Sequence, residues 1–134
     1  MNSPACAVDE LRNLLERYAR AADDRDVDAL AALFTAQATV VGTRGEQTIA
    51  EWLDTMRGPR TFPVSMHVFG NPLVELAADG AHATLDTYAV VYQLGDAASG
   101  HGDLTLGMRY VDDVVREGDS WRFRVRHASS LWMR

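Results

Sequence analysis

The stretch Leu11–Phe34, LRNLLERYARAADDRDVDALAALF, decides the fold, because it holds the only long helical pattern in the chain. Its apolar residues recur at the spacing of one helix face, at Leu11, Leu14, Leu15, Tyr18 and Ala22. Asp23 falls on the flank of this face, near enough to lean into whatever the face covers. Since a buried carboxylate is costly without a partner, the sequence predicts that another part of the chain supplies one.

Two more helices are predicted around this stretch. The first helix should run to about Asp24, and Asp26 is a suitable N-cap for a short second helix over residues 27–34. The pattern over residues 46–56 predicts a third helix with Trp52 on its apolar face. Residues 1–7 are interpreted as a flexible leader, although the pair Ser3-Pro4 could start a helix.

The rest of the chain reads as β-structure. One brief run lies before the third helix and four long runs follow it, at residues 38–41, 64–76, 81–94, 104–116 and 121–129. Short turns between the long runs predict an antiparallel meander. The order predicts an α+β fold with the N-terminal helices packed on a strongly curved antiparallel sheet. Because both strand faces carry apolar residues, we expect a second copy to cover the outer face as a homodimer.

Composition restricts the classes of function. The chain has 134 residues, which suits a single domain over 1–134. Its net charge of −6 argues against a nucleic-acid partner, and Arg122, Arg124 and Arg126 are interpreted as the solvated face of a strand. Cys6 is the single cysteine, so we expect no disulfide, no metal site and a cytoplasmic location. No segment approaches the roughly 20 apolar residues of a membrane helix.

Two histidines stand in strand patterns. His67 lies within the apolar run VSMHVF, and His127 shares the alternation phase of Trp121, which we take as the inward phase. A lone histidine in such a strand is usually a satisfied core residue. A carboxylate nearby changes this interpretation, because Asp23 could accept from one ring N–H and leave the other nitrogen free as a general base. Tyr18 could belong to the core or donate to a developing oxyanion. Its offset of about 140° from Asp23 means that both can reach the pocket only if the helix end unwinds or if they approach from its flanks.

Several segments resemble a known family. RYARAAD (17–23), DVDALAALF (26–34) and HVFGN (67–71) resemble the SnoaL-like branch of the nuclear transport factor 2-like superfamily. RYVDD (109–113) and GDSWRF (118–123) are similar to the last hairpin of that branch. The resemblance covers about residues 8–130, and it implies a cone-shaped α+β barrel with one apolar pocket per subunit.

The resemblance also implies a catalytic pair. In scytalone dehydratase, bile-acid 7α-dehydratase and lindane dehydrochlorinase, an aspartate on the first helix and a histidine on the sheet form a dyad. Those positions match Asp23 and His67, and Tyr18 matches the tyrosine that some dehydratases use. Where scytalone dehydratase has a second sheet histidine, the strand around Tyr88 offers tyrosines instead.

We therefore expect a cofactor-independent dehydratase or isomerase acting on an apolar cyclic or polyketide-like small molecule. His67 would abstract a proton, Asp23 would orient it, and Tyr18 would stabilise the oxyanion. The residues expected to line the pocket are Tyr88, Trp52, Phe69, Met108 and His127. The alternative is a non-catalytic small-molecule-binding or assembly module on the same fold. We expect no cofactor, no nucleic-acid partner and no membrane partner.

Overall fold

The computed structural model describes residues 3–134, and its first element is the helix α1, Pro4–Asp23. The hydroxyl of Ser3 accepts a hydrogen bond from the backbone N–H of Cys6 at 3.2 Å, which caps the helix. The predicted flexible leader 1–7 is therefore wrong for residues 4–7, and its first two residues lie outside the described part of the chain. The predicted apolar face is confirmed, since all five of its members are buried.

Two shorter helices follow, and each begins at a side-chain cap. In α2, Val27–Ala32, the Asp26 carboxylate accepts a backbone N–H of the first turn, as predicted. In α3, Ile49–Arg57, the Thr48 hydroxyl has the same role. Both helices are shorter than the sequence predicted. The chain has already entered a strand at Phe34, and a short strand occupies the predicted first turn of α3.

Within residues 3–134, seven strands form one sheet. They are β1 Phe34–Gly42, β2 Gly45–Thr48, β3 Val64–Phe69, β4 Leu73–Leu76, β5 His82–Leu94, β6 Leu104–Glu117 and β7 Ser120–Met133. The order across the sheet is β2-β1-β7-β6-β5-β3, and β4 pairs with β5. The first long β run is split into β3 and β4 at residues 70–72, where Pro72 has no N–H for a ladder. Every pair is antiparallel except β1 with β7, which is parallel.

The curved sheet has an inner face, packed against the helices, and an outer face. On β5, Leu85 and Val91 are buried, whereas Tyr88 is 61% exposed and Tyr92 is 37% exposed. The predicted α+β fold, with N-terminal helices on a curved sheet, is confirmed. Apolar side chains remain exposed on the outer face, namely Val64, Met66, Val68, Tyr88, Tyr92, Leu94 and Val111.

The alternation of β7 changes phase partway along the strand. Trp121 and Phe123 are buried, and the next buried residue is Arg126, three positions later. The pairing of β6 with β7 shifts register at this point, which is the signature of a β-bulge. The bulge turns Arg126 inward and His127 outward. The predicted solvated face is therefore wrong for Arg126, whereas the side chains of Arg122 and Arg124 are 40% and 52% exposed, and the predicted inward phase of His127 is wrong. None of the described helices is long and apolar enough to cross a membrane.

Candidate active site

The end of α1 meets the inner face of β3 at an aspartate and a histidine. His67 Nδ1 lies 2.6 Å from Asp23 Oδ1, and the backbone N–H of His67 donates to Asp23 Oδ2 at 3.0 Å. The Ser65 hydroxyl donates to Asp23 Oδ1 at 3.1 Å. Alternation along β3 points Ser65, His67 and Phe69 inward. The side chains of His67 and Asp23 are only 12% and 18% exposed, so the pair is shielded but can be reached.

These hydrogen bonds set the charge of Asp23. Burial by itself would raise the pKa of the Asp23 carboxyl. The hydrogen bonds from the His67 ring, the His67 backbone and Ser65 outweigh burial, and they hold the pKa below its ordinary value of 3.8. Asp23 is therefore an ionised acceptor at neutral pH. The partner that the sequence predicts for this carboxylate is the His67 ring.

Tyr18 lies on the other side of the histidine. Its ring centroid is 5.9 Å from that of His67, and the two rings are perpendicular. Tyr18 and Asp23 are thus both in contact with the His67 ring. Burial raises the pKa of the Tyr18 hydroxyl above its ordinary value of 10, although the nearby charge of Arg126 lowers it in part. The hydroxyl therefore keeps its proton and can act as a hydrogen-bond donor.

Two adjoining pockets open beside these residues. The histidine pocket has a volume of about 310 Å³, and its walls include His67, Ser65 and Arg60. The arginine pocket has a volume of about 280 Å³, and its walls include Arg126 and Tyr110. Both pockets share a wall made of Tyr18, Arg25, Trp52 and Met56. Each is large enough for a small ring compound.

Arg126 is a site residue that sequence reasoning missed. Its guanidinium carbon lies 3.9 Å from the ring centroid of Tyr18, 4.2 Å from that of Tyr110 and 4.7 Å from that of Phe123. Its Nε atom lies 3.2 Å from Asp112 Oδ1, but the N–H does not point at the oxygen with hydrogen-bond geometry. All three guanidinium nitrogens are buried without a hydrogen-bond partner in the described chain, which is unusual for buried polar atoms.

The five residues expected to line the pocket divide into two groups. Trp52 lines both pockets and Met108 lines the arginine pocket. Phe69 points inward but lines neither of these pockets, and it packs on Tyr18 at a ring distance of 6.1 Å. Tyr88 and His127 lie on the outer face, so their expected place in the pocket is wrong. Tyr88 has the outward phase of β5, where the Arg109 guanidinium lies 5.5 Å from its ring.

Arg126 therefore lines the pocket where the sequence predicted His127. Arg126 lies an odd number of residues after the inward-facing Trp121, so strict alternation predicts that it faces outward. Nothing in the residue types marks the position of the bulge.

The pocket lining is also more polar than the resemblance implied. Within residues 3–134, no group of three or more His, Cys, Asp or Glu side chains converges in the way that a metal site requires.

Comparisons with known proteins agree with this architecture. A family model described as a SnoaL-like domain matches residues 4–127. An uncharacterized protein of Mycobacterium tuberculosis is 33% identical over 119 residues, which is 84% of this chain and 78% of that protein.

Solved structures share the fold. A protein from Novosphingobium aromaticivorans named "Putative Scytalone Dehydratase" superposes with a TM-score of 0.84 at 19% identity, over 93% of this chain and 84% of its own. The type 2 hexachlorocyclohexane dehydrochlorinase LinA superposes with a TM-score of 0.78 at 13% identity, over 93% of this chain and 85% of its own. At these identities the likeness establishes the fold, which is that of the nuclear transport factor 2-like superfamily.

Proposed function

This chain belongs to the SnoaL-like domain family, and on that premise we propose that it is a cofactor-independent lyase or isomerase. Its substrate is a small cyclic or polyketide-like carbonyl compound. His67 abstracts a proton from the carbon next to the carbonyl group, and Asp23 orients the imidazole. The observation that carries the proposal is the 2.6 Å contact between His67 Nδ1 and Asp23 Oδ1 at the wall of a pocket.

The ionised state of Asp23 assigns the roles of the two ring nitrogens. A carboxylate only accepts hydrogen bonds, so Nδ1 of His67 carries a proton and donates it to Asp23. Nε2 is then the basic nitrogen. When Nε2 takes a proton from the substrate carbon, the imidazole becomes an imidazolium, and the adjacent carboxylate stabilises that positive charge.

The electron pair of the broken C–H bond moves to the carbonyl oxygen and forms an enolate. Tyr18 and Arg126 are the donors that stabilise this oxygen, since both line the arginine pocket and the Arg126 nitrogens have no hydrogen-bond partner in the described chain. In a dehydration, the C–O bond at the next carbon breaks as the C=C bond forms. The departing oxygen takes the proton from the imidazolium and leaves as water. In an isomerisation, the imidazolium returns that proton to a different carbon.

The names of two structural neighbours support an elimination in particular. A dehydratase removes water and a dehydrochlorinase removes hydrogen chloride, and both reactions take a proton and a leaving group from the substrate. The fold alone does not carry an activity, so the weight of the proposal rests on the residues at the pocket.

The test is a screen of cyclic β-hydroxy ketones with the intact protein, followed by the absorbance of the conjugated enone. Exchange of the substrate α-hydrogen in D₂O, followed by NMR, reports proton abstraction even without elimination. Removing the general base, in His67→Gln, should lower the rate by about 10²–10⁴-fold. Asp23→Asn should lower it by about 10²-fold or more, because the neutral amide does not stabilise the imidazolium and can hold the imidazole in the wrong tautomer.

The chain offers a matched control for the dyad. His82 Nδ1 lies 2.7 Å from Asp79 Oδ2, but this pair is exposed at a turn on the surface. His82→Gln should leave the rate of elimination and the rate of α-hydrogen exchange unchanged. If His67→Gln turned over and exchanged as fast as the parent, the proposed role of His67 would be wrong. Ligand binding without exchange in the parent would favour the alternative of a binding module.

A further inference from the structure

The arginines that line the two pockets have no acidic residue beside them in the pocket walls, because Asp23 and Asp112 lie next to His67 and Arg126 without lining either pocket. The chain carries 13 arginines and 19 acidic residues, which give a net charge of −6. Among the described residues, the two pocket walls include four of those arginines, Arg25, Arg44, Arg60 and Arg126, and none of the acidic residues. A positive cavity in a negatively charged protein attracts and orients an anionic ligand.

Arg25 occupies a position that usually belongs to glycine. The backbone N–H of Arg25 bonds to the carbonyl of Ala22 at 3.2 Å, and that of Asp26 bonds to the carbonyl of Ala21 at 2.9 Å. These two bonds form a Schellman motif, which ends α1 with a left-handed residue. Arg25 is that residue, with φ of 53°, and it is the only described residue other than glycine with a positive φ. A side chain there costs about 1–2 kcal/mol relative to the right-handed region.

The Arg25 side chain turns into the shared wall of the pockets. Its NH1 group donates to the carbonyl oxygen of Met56 at 3.0 Å, which ties the end of α1 to the end of α3. The other guanidinium donors have no partner among the described residues, and no described carboxylate forms an ion pair with Arg25. Burial, together with the nearby charge of Arg60, lowers the pKa of the Arg25 guanidinium.

Arg60 is connected to the Asp23–His67 pair through Ser65. Its Nε donates to the carbonyl oxygen of Phe62 at 3.2 Å, and its NH2 group lies 3.5 Å from the Ser65 hydroxyl. That same hydroxyl donates to Asp23. No described carboxylate forms an ion pair with Arg60. The guanidiniums of Arg25 and Arg60 therefore stand at one pocket with His67, with like charges and no anion between them.

We propose that the substrate carries a carboxylate, which binds between Arg25 and Arg60 in the histidine pocket and fixes the reacting carbon beside His67. This inference rests on the proposed function, since it names the class of substrate for the same site. Arginine suits the role, because its planar donors match the two oxygens of a carboxylate. The expected substrate is thus an acid with a small ring, rather than a wholly apolar molecule.

Binding of a matched probe pair tests the inference without any turnover. The probes are 2-naphthoate and its neutral isostere 2-naphthamide, titrated into the intact protein by calorimetry. We expect 2-naphthoate to bind about tenfold more tightly. In Arg60→Gln the affinity for 2-naphthoate should fall about three- to fivefold, in the range of a solvent-exposed ion pair, while the affinity for 2-naphthamide should stay the same.

Arg57→Gln is the matched control. Arg57 is an exposed arginine at the end of α3, its NH1 atom lies 2.8 Å from Asp54 Oδ1, and it lines neither pocket. Equal affinity of the parent for the two probes would overturn the inference. An equal loss in Arg57→Gln and Arg60→Gln would also overturn it, because the effect would then come from net charge.

One further variant separates this inference from the proposed reaction. His67→Gln should keep the preference for 2-naphthoate although it removes the base. If the preference is present in the parent and in His67→Gln, but no carbonyl acid undergoes exchange, the carboxylate site stands and the proposed reaction fails. If exchange depends on His67 but the preference is absent, the reaction stands and the carboxylate site fails.

Discussion

Asp112→Asn should remove part of the pH dependence of folding stability. The Asp112 side chain is fully buried next to Arg126 and accepts no hydrogen bond from the described chain. Burial raises its pKa to about 6, although the Arg126 charge lowers it in part, against an ordinary value of 3.8. Asparagine has nearly the same shape and does not titrate, so the variant removes only the ionisation.

The sign follows from the proton affinities of the two states. Between pH 3.8 and 6 the folded protein binds a proton at Asp112 that the unfolded chain has lost, so the free energy of unfolding falls as the pH rises through this window. The full difference is about 3 kcal/mol, at 1.36 kcal/mol for each unit of pKa. About 2 kcal/mol of it should appear between pH 4 and pH 8, because the unfolded carboxyl is already half ionised at the lower value.

Urea unfolding of the parent and of Asp112→Asn at several pH values measures this effect. The stability of the parent relative to the variant should fall by about 2 kcal/mol from pH 4 to pH 8. Asp113→Asn is the matched control, since it removes the neighbouring carboxylate, which forms an ion pair with Arg124 on the outer face. A constant difference between parent and Asp112→Asn, or one of opposite sign, would show that pairing with Arg126 outweighs burial, and the reasoning would be refuted.

Three other predictions concern the pocket wall, the sheet and its outer face. Tyr18→Phe should fold normally and lower kcat by about 10–100-fold with a small change in KM, because it removes only the proposed donor to the enolate; steady-state kinetics and thermal unfolding measure both. Gly107→Ala should displace Trp132, since an added Cβ would lie 2.1 Å from its ring. Urea unfolding should show a loss of about 1–3 kcal/mol in the free energy of unfolding, and tryptophan fluorescence should change. Gly102→Ala, whose Cβ would meet nothing within 4 Å, should change neither. The protein should sediment as a homodimer, and Met66→Arg, at a half-exposed position of the outer face, should make it monomeric; a parent that sediments as a monomer would contradict this.

The sequence predicts those parts of the molecule that rest on local patterns. The buried face of α1 follows from a spacing of three and four residues, and the partner of Asp23 follows from the cost of an unpaired carboxylate. His67 was identifiable because β3 keeps strict alternation from Val64 to Phe69. On β7 the bulge adds one residue, so the same rule places His127 inward and Arg126 outward, the reverse of what the structure has. A bulge depends on pairing with β6, which no local pattern records.

Two arginines of the pocket occupy positions that are costly for the fold. A buried ion pair without hydrogen bonds is often no more stable than apolar residues of the same volume, so Asp112 and Arg126 are not explained by stability. Arg25 stands at a left-handed position where glycine would remove a strain of about 1–2 kcal/mol. Both guanidiniums border the pockets beside Tyr18 and His67. Such costs are typical of sites where a charged group must face a ligand, so the two arginines support a functional pocket independently of the Asp23–His67 pair.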